Sequence, residues 1–147
     1  MLSFIRLQAA NARYAMSVCT GALLCGAAGL LRGRRATTHW TAFHLLEYFG
    51  AIAVDERVVV DGNYLSTAGV SAGIDGALRM AALLRGDRVA QLIQLSIEYS
   101  PEPPYAAGSP KTAAPELVAQ AREYARAFAE ARLETARRIG KKLGTYA

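Results

Sequence analysis

Acidic residues are missing from the opening stretch of this 147-residue sequence: no Asp or Glu precedes Glu47. Carboxylate chemistry in that stretch is thereby excluded. Cysteine is scarce as well. Cys19 and Cys25 stand six apart, which fits neither a disulfide framework nor a CxxC redox or zinc pair, so a reduced, cytoplasmic setting is expected. His39 and His44 are too few for a metal site and no HExxH occurs, so no metal is expected. The uncharged run Ala15–Leu31 contains Ser17, Thr20 and three glycines and is shorter than the roughly 20 apolar residues a membrane span requires. No membrane partner is expected. No basic segment leads into an apolar one at the N-terminus, so no signal peptide is read, and no internal repeat is present. Gly69, Gly73 and Gly76 lack the Walker lysine and the GxGxxG order, and read as tight packing at a helix start rather than a phosphate cradle.

What is present is the composition of one globular domain, residues 1–147, with 52% hydrophobic and 20% charged residues. The net charge of +5 is concentrated after Lys111, where Arg122, Arg126, Arg132, Arg137, Arg138, Lys141 and Lys142 outnumber four glutamates. That pattern describes a solvated helix whose basic end complements its dipole. Without helix-turn-helix or zinc-finger spacing, no nucleic-acid partner is expected.

Along the chain, Phe4–Arg13 reads as a short helix and Tyr14–Val18 as a buried strand. Thr20–Leu31 reads as a helix apolar on every face, as if packed inside a sandwich and stopped by Gly33. A short strand or turn at Arg34–Thr38 and a helix over Trp40–Phe49, stopped by Gly50, come next. Ala51–Val54 and Arg57–Val60 read as strands. Asp61-Gly62-Asn63 signals a hairpin into Tyr64–Thr67. Two helices follow, Ile74–Leu84 with Ser71 as N-cap and Asp87–Tyr99 with Asp87 as N-cap. A loop at 100–115 holds all five prolines. A final helix at 115–139 carries an apolar stripe of Leu117, Ala121, Tyr124 and Phe128, with Arg126/Glu130 and Glu134/Arg138 as supporting pairs. Alternating strands and helices imply an α/β layered fold.

Strand, Cys19, helix is the order of a nucleophile elbow, in which a sharp turn lifts the nucleophile above the carboxyl edge of a sheet. A thiol of pKa about 8.5 is only about 3% thiolate at pH 7. Lowering the pKa to about 6 requires about 3.4 kcal/mol, of which a helix N-terminus supplies at most about 2. A hydrogen-bonding partner must provide the rest, while the Thr20 amide could stabilise charge developing on a substrate atom. Cys25, inside the apolar helix, reads as an inert thiol. His44 with Glu47 reads as an ordinary pair on a helix surface.

Four segments, Ser17–Ala22, Ala36–Trp40, Arg57–Asp61 and Ser66–Asp75, together resemble the ThiJ/PfpI group of the class I glutamine amidotransferase-like superfamily. With Pro101–Tyr105 and Gly108–Pro110, the Cys19-Thr20-Gly21-Ala22 elbow is most similar to the isonitrile hydratase branch of that group. The resemblance implies a flavodoxin-like three-layer sandwich with a mostly parallel central sheet. It also implies Cys19 as nucleophile, Thr20 and Gly21 in the oxyanion and substrate pocket, and His39 near the thiol. The implied activity is a cofactor-free lyase that adds water to a small-molecule isonitrile through a cysteine thioimidate, giving an N-substituted formamide. A non-enzymatic sensing domain related to AraC-type regulators is the alternative. The resemblance also implies strands before the elbow, one of whose loops carries an acidic partner for the thiol. Their absence reads as an N-terminal truncation, with the homodimer of the group expected only when the complete domain is present.

Overall fold

The structure, a computed structural model, describes residues 1–146. Helix α1 (Leu2–Asn11) leads into strand β1 (Ala15–Val18), helix α2 (Gly21–Ala27), strand β2 (Arg35–Ala36), a 3₁₀ segment (Trp40–Phe49) and strand β3 (Ile52–Ala53). Strands β4 (Val58–Asp61) and β5 (Tyr64–Thr67) form the hairpin. Helices α3 (Ala72–Arg85), α4 (Asp87–Ser96) and α5 (Pro115–Leu143) complete the chain. Only Gly62 has a positive φ in the hairpin turn, as a type II′ connection requires.

The central sheet has the order β1-β5-β4, with β1 parallel and β4 antiparallel to β5, and a second parallel pair joins β2 to β3. Strand alternation decides what each face holds. Met16, Leu65 and Thr67 meet α3, where a Cβ on Gly76 would strike the Thr67 and Met16 side chains. Gly73 likewise lies against Val18, so these glycines do serve close packing. On the opposite face, Tyr64 joins Ala22, Leu31, Ala36 and Leu46 in a buried cluster beneath α2 and the 3₁₀ segment. The result is a helix–sheet–helix sandwich of the flavodoxin-like kind, mostly parallel in its pairing. Strand β1 lies at the sheet's edge, with no second strand partner among the described residues.

Several local expectations are corrected. Helix α2 ends at Ala27, with Gly29 and Gly33 both at positive φ in the turns beyond it. Its apolar character does not mean burial on every side: Ala22, Gly26 and Ala27 face the core while Leu24 is 43% exposed. The small residues do the packing, since a Cβ on Gly26 would lie 2.6 Å from the Phe49 ring. Trp40–Phe49 winds as a 3₁₀ helix, closed by Gly50 in the left-handed region. Ser71 occupies the N-cap position of α3 without capping, because its hydroxyl accepts from Arg57 instead. Asp87 is the first helical residue of α4, since Gly86 ends α3 and caps α4 at once.

Helix α5 runs four residues beyond 139, and Gly140 lies inside it. A Cβ there would sit 2.5 Å from the Tyr48 carbonyl oxygen, so glycine permits close approach; Gly144, at φ +66°, makes the actual stop. The stripe in the first half of α5 is uncovered, with Tyr124 93% and Phe128 71% exposed. Arg126 pairs with Glu123 at 3.1 Å rather than with Glu130. Neither Glu134/Arg138 nor His44/Glu47 forms an ion pair among the described residues.

Candidate active site

Strand β1 ends at Val18, and the chain turns through Cys19 with φ +56° before α2 begins. A side chain in the left-handed region costs roughly 1–2 kcal/mol, so the surroundings must hold it there. They do so through both backbone groups of Cys19. Its amide donates to the Thr67 carbonyl at 3.2 Å, extending the parallel β1/β5 ladder by one residue. Its carbonyl accepts from the Thr38 hydroxyl at 2.8 Å and from the Ala22 amide at 3.3 Å. The thiol is half-buried and free.

Below the turn lies a buried polar belt. Tyr64 donates to Ser17 Oγ at 2.7 Å, Thr37 N–H donates to Ser66 Oγ at 2.9 Å, and Ser17, Ser66, Thr37 and Thr38 are all buried. Every buried side-chain nitrogen and oxygen among the described residues finds a partner, so the belt locks β1, β5 and the Thr37–Thr38 segment together at no unmet polar cost. The Ala36–Trp40 and Ser66–Asp75 segments carried this information in their motifs. The hydroxyl of Thr38 as a brace for the elbow was not foreseen.

Thr20 occupies the N-cap position of α2 without capping through its side chain. Neither its amide nor that of Gly21 has a backbone acceptor among the described residues, so two donors are available beside the thiol. His39 follows Thr38 directly and opens the 3₁₀ segment. Its Nδ1 accepts from the Thr41 amide at 3.3 Å and lies 2.8 Å from the Thr41 hydroxyl, which leaves the neutral ring's proton on Nε2. Burial, aided by the nearby Arg132 guanidinium, pushes the imidazole below its ordinary range, so the ring is neutral at pH 7. The ring does not hydrogen-bond the thiol among the described contacts; its Cδ2 edge faces Gly69, 3.7 Å from where a Cβ would stand.

Between α2 and α5 lies a cavity of about 470 Å³, reaching the elbow at Thr20 and Gly21. Leu24 and Phe49 form its apolar wall; Phe128, Arg132 and Thr135 approach from one face of α5. No carboxylate lines it. Its α5 wall escaped sequence reasoning, although the spacing Phe128, Arg132, Thr135 is a helical face. Burial pushes the Cys25 thiol upward, partly countered by the Tyr64 hydroxyl. No group of three metal-ligating side chains occurs among the described residues, and none of their helices is long and apolar enough to cross a membrane.

The strand–turn–helix elbow on a flavodoxin-like sheet defines a class of α/β proteins, and similarity to known proteins gives the family. The model of the DJ-1/PfpI family matches residues 1–83, and the chain belongs to that family. It is 53% identical over 142 residues to the isonitrile hydratase of Pseudomonas putida, covering 97% of this chain and 62% of the hydratase. The crystal structure of a ThiJ/PfpI family protein from Pseudomonas syringae superposes with a TM-score of 0.87 at 42% identity, over 95% of this chain and 56% of that one. The chain therefore spans less than two thirds of either relative's length. Over 82 residues it is also 35% identical to the HTH-type transcriptional regulator CdhR of Pseudomonas aeruginosa, covering 54% of this chain and 24% of the regulator.

Proposed function

We propose that this chain carries the thiol centre of an isonitrile hydratase-like lyase. The observation that carries the reading is Cys19 at φ +56° between strand and helix, with the Thr20 and Gly21 amides free beside it. The similarity to the P. putida hydratase supports the choice of substrate class. Residues 1–147 act as one domain.

The terminal carbon of an isonitrile, R–N≡C, is electrophilic toward a soft thiolate. The Cys19 sulfur adds to that carbon, which takes up the thiol's proton, giving the thioimidate R–N=CH–S–Cys19. Water adds to the same carbon. Collapse then expels the Cys19 thiolate and leaves the formamide R–NH–CHO, with no change of oxidation state and so no demand for a redox cofactor. The Thr20 and Gly21 amides stabilise the charge that develops during both additions. His39, neutral with its proton on Nε2, orients the water and relays the proton. The apolar cavity receives R.

Incubating the purified chain with n-butyl isonitrile and following the formamide proton by NMR tests this. Turnover by the unaltered chain and none by Cys19→Ala is the expected result. A chain whose Cys19 alkylates rapidly yet forms no formamide would instead support a non-enzymatic sensing domain, the reading favoured by the match to CdhR.

A further inference from the structure

Within the elbow cavity, the polar side chains are few and unequal. Thr20 and Thr135 offer hydroxyls, and Arg132 offers the single charge. No carboxylate lines the cavity, and Arg132 forms no salt bridge among the described residues, whereas Arg35, Arg57 and Arg126 each do. Arg132 and Thr135 stand three apart on α5 and so share a face, opposite the Thr20 and Gly21 end of α2. A planar guanidinium fork with a hydroxyl beside it matches one carboxylate, bidentately; a phosphate dianion would call for a second cation, and none lines the cavity. The remaining wall, with Leu24, Phe49 and Phe128, matches an alkyl or aryl body.

We propose that Arg132 determines the specificity of this cavity, selecting electrophiles that carry a carboxylate on an apolar body, so that the preferred isonitriles are isocyano-carboxylic acids. Arg132 reaches the elbow through the cavity it shares with Thr20 and Gly21, the residues that follow Cys19, and, after burial, its charge helps hold the His39 imidazole below its ordinary range. The choice of isonitriles rests on the hydration reading above; the anion selectivity of Cys19 does not.

Two probes of nearly equal size separate these claims. Iodoacetate and iodoacetamide alkylate the same thiol but differ by one negative charge. On the 147-residue chain at low ionic strength, the ratio of their rates at Cys19, read by peptide mass spectrometry and referenced to free glutathione, is expected to exceed that at Cys25. Arg132→Gln lowers the Cys19 ratio about fivefold, the worth of one opposite charge at an exposed site. Arg132→Lys restores most of it, and Arg122→Gln, whose guanidinium sits over the Trp40 ring 5.9 Å away, leaves it unchanged. An unchanged ratio in Arg132→Gln, with the far-ultraviolet dichroism of the unaltered chain, overturns the proposal. So does an equal fall in Arg122→Gln, which would reveal a diffuse basic field. With 4-isocyanobutanoate and n-butyl isonitrile as substrates, a kcat/KM ratio that favours the acid and falls in Arg132→Gln supports the substrate class. Equal turnover of both overturns it. Turnover of neither refutes the hydration reading while the alkylation ratio still decides the role of Arg132.

Discussion

Cys19 and Cys25 are the same residue six positions apart, and the fold gives them opposite surroundings. Cys19 sits in a turn at positive φ, its backbone braced by Thr38 and Thr67 and its thiol beside two amides without backbone acceptors. Cys25 sits one helical turn and a half into α2, half-buried, with its thiol pushed up by desolvation and close to Tyr64. On the proposed reading, reactivity is assigned by backbone geometry: burial favours the neutral thiol at Cys25 by more than the Tyr64 hydroxyl offsets, whereas the elbow sets two backbone amides without backbone acceptors beside Cys19.

The largest effect that breaks the comparison is on turnover. Cys19→Ala is expected to reduce formamide production at least about 1000-fold, as removal of a covalent nucleophile does, while Cys25→Ala changes it less than about threefold. Proton NMR of the product at matched protein concentration checks both. Loss of activity in both variants would mean that the two thiols act as one site.

Next in size is the wall opposite the elbow. Gly140→Ala places a methyl 2.5 Å from the Tyr48 carbonyl oxygen, a backbone atom that cannot swing away, and 2.9 Å from the Tyr146 Cβ. Overpacking of this kind costs about 1–3 kcal/mol, read as a lower midpoint in urea. It loosens α5 from the 3₁₀ segment and from the cavity that reaches Thr20 and Gly21, whereas Cys25 packs on the Tyr64 side of α2, so Cys19 alkylation should respond more than Cys25 alkylation.

The legible part of this molecule was its local chemistry. Strand β1, the hairpin at Gly62, the stop at Gly50 and the elbow order all follow from residues adjacent in sequence, where turn chemistry and alternation act directly. What escaped depends on which element covers which. The stripe Leu117, Tyr124, Phe128 has the period of a buried face yet is exposed, while the contact face of the same helix runs through the small residues Ala136 and Gly140. Periodicity locates an apolar face and leaves its partner unspecified. The same reason hid the cavity. Its two walls, α2 and α5, lie about a hundred residues apart, and neither alone signals a pocket. Thr38 was hidden because its motif named a neighbourhood and not a hydrogen bond.

Thr38→Val sharpens the comparison by a smaller margin. It removes the hydroxyl that donates to the Cys19 carbonyl at 2.8 Å and keeps the shape of the side chain, for a stability loss of about 1 kcal/mol. Because the Ala22 amide still serves that carbonyl, the elbow survives with a looser turn. Cys19 alkylation at pH 7 should change severalfold and Cys25 alkylation hardly at all.

The smallest effect is the pH dependence contributed by the two groups that burial shifts. His39 is held below its ordinary range, so the fold favours its neutral form. Its contribution to stability is complete above about pH 6.5, the unfolded value, and is lost as the pH falls through the lower folded value. Cys25 is displaced the other way. Its neutral thiol is favoured by the fold, so its contribution is complete below about pH 9.0, the unfolded value, and is lost as the pH rises through the higher folded value. Urea midpoints measured from pH 5 to pH 10 should therefore fall at both ends. His39→Gln flattens the acid limb and Cys25→Ala the alkaline limb. An alkaline limb that survived unchanged in Cys25→Ala would remove burial as the ground of the contrast between the two cysteines.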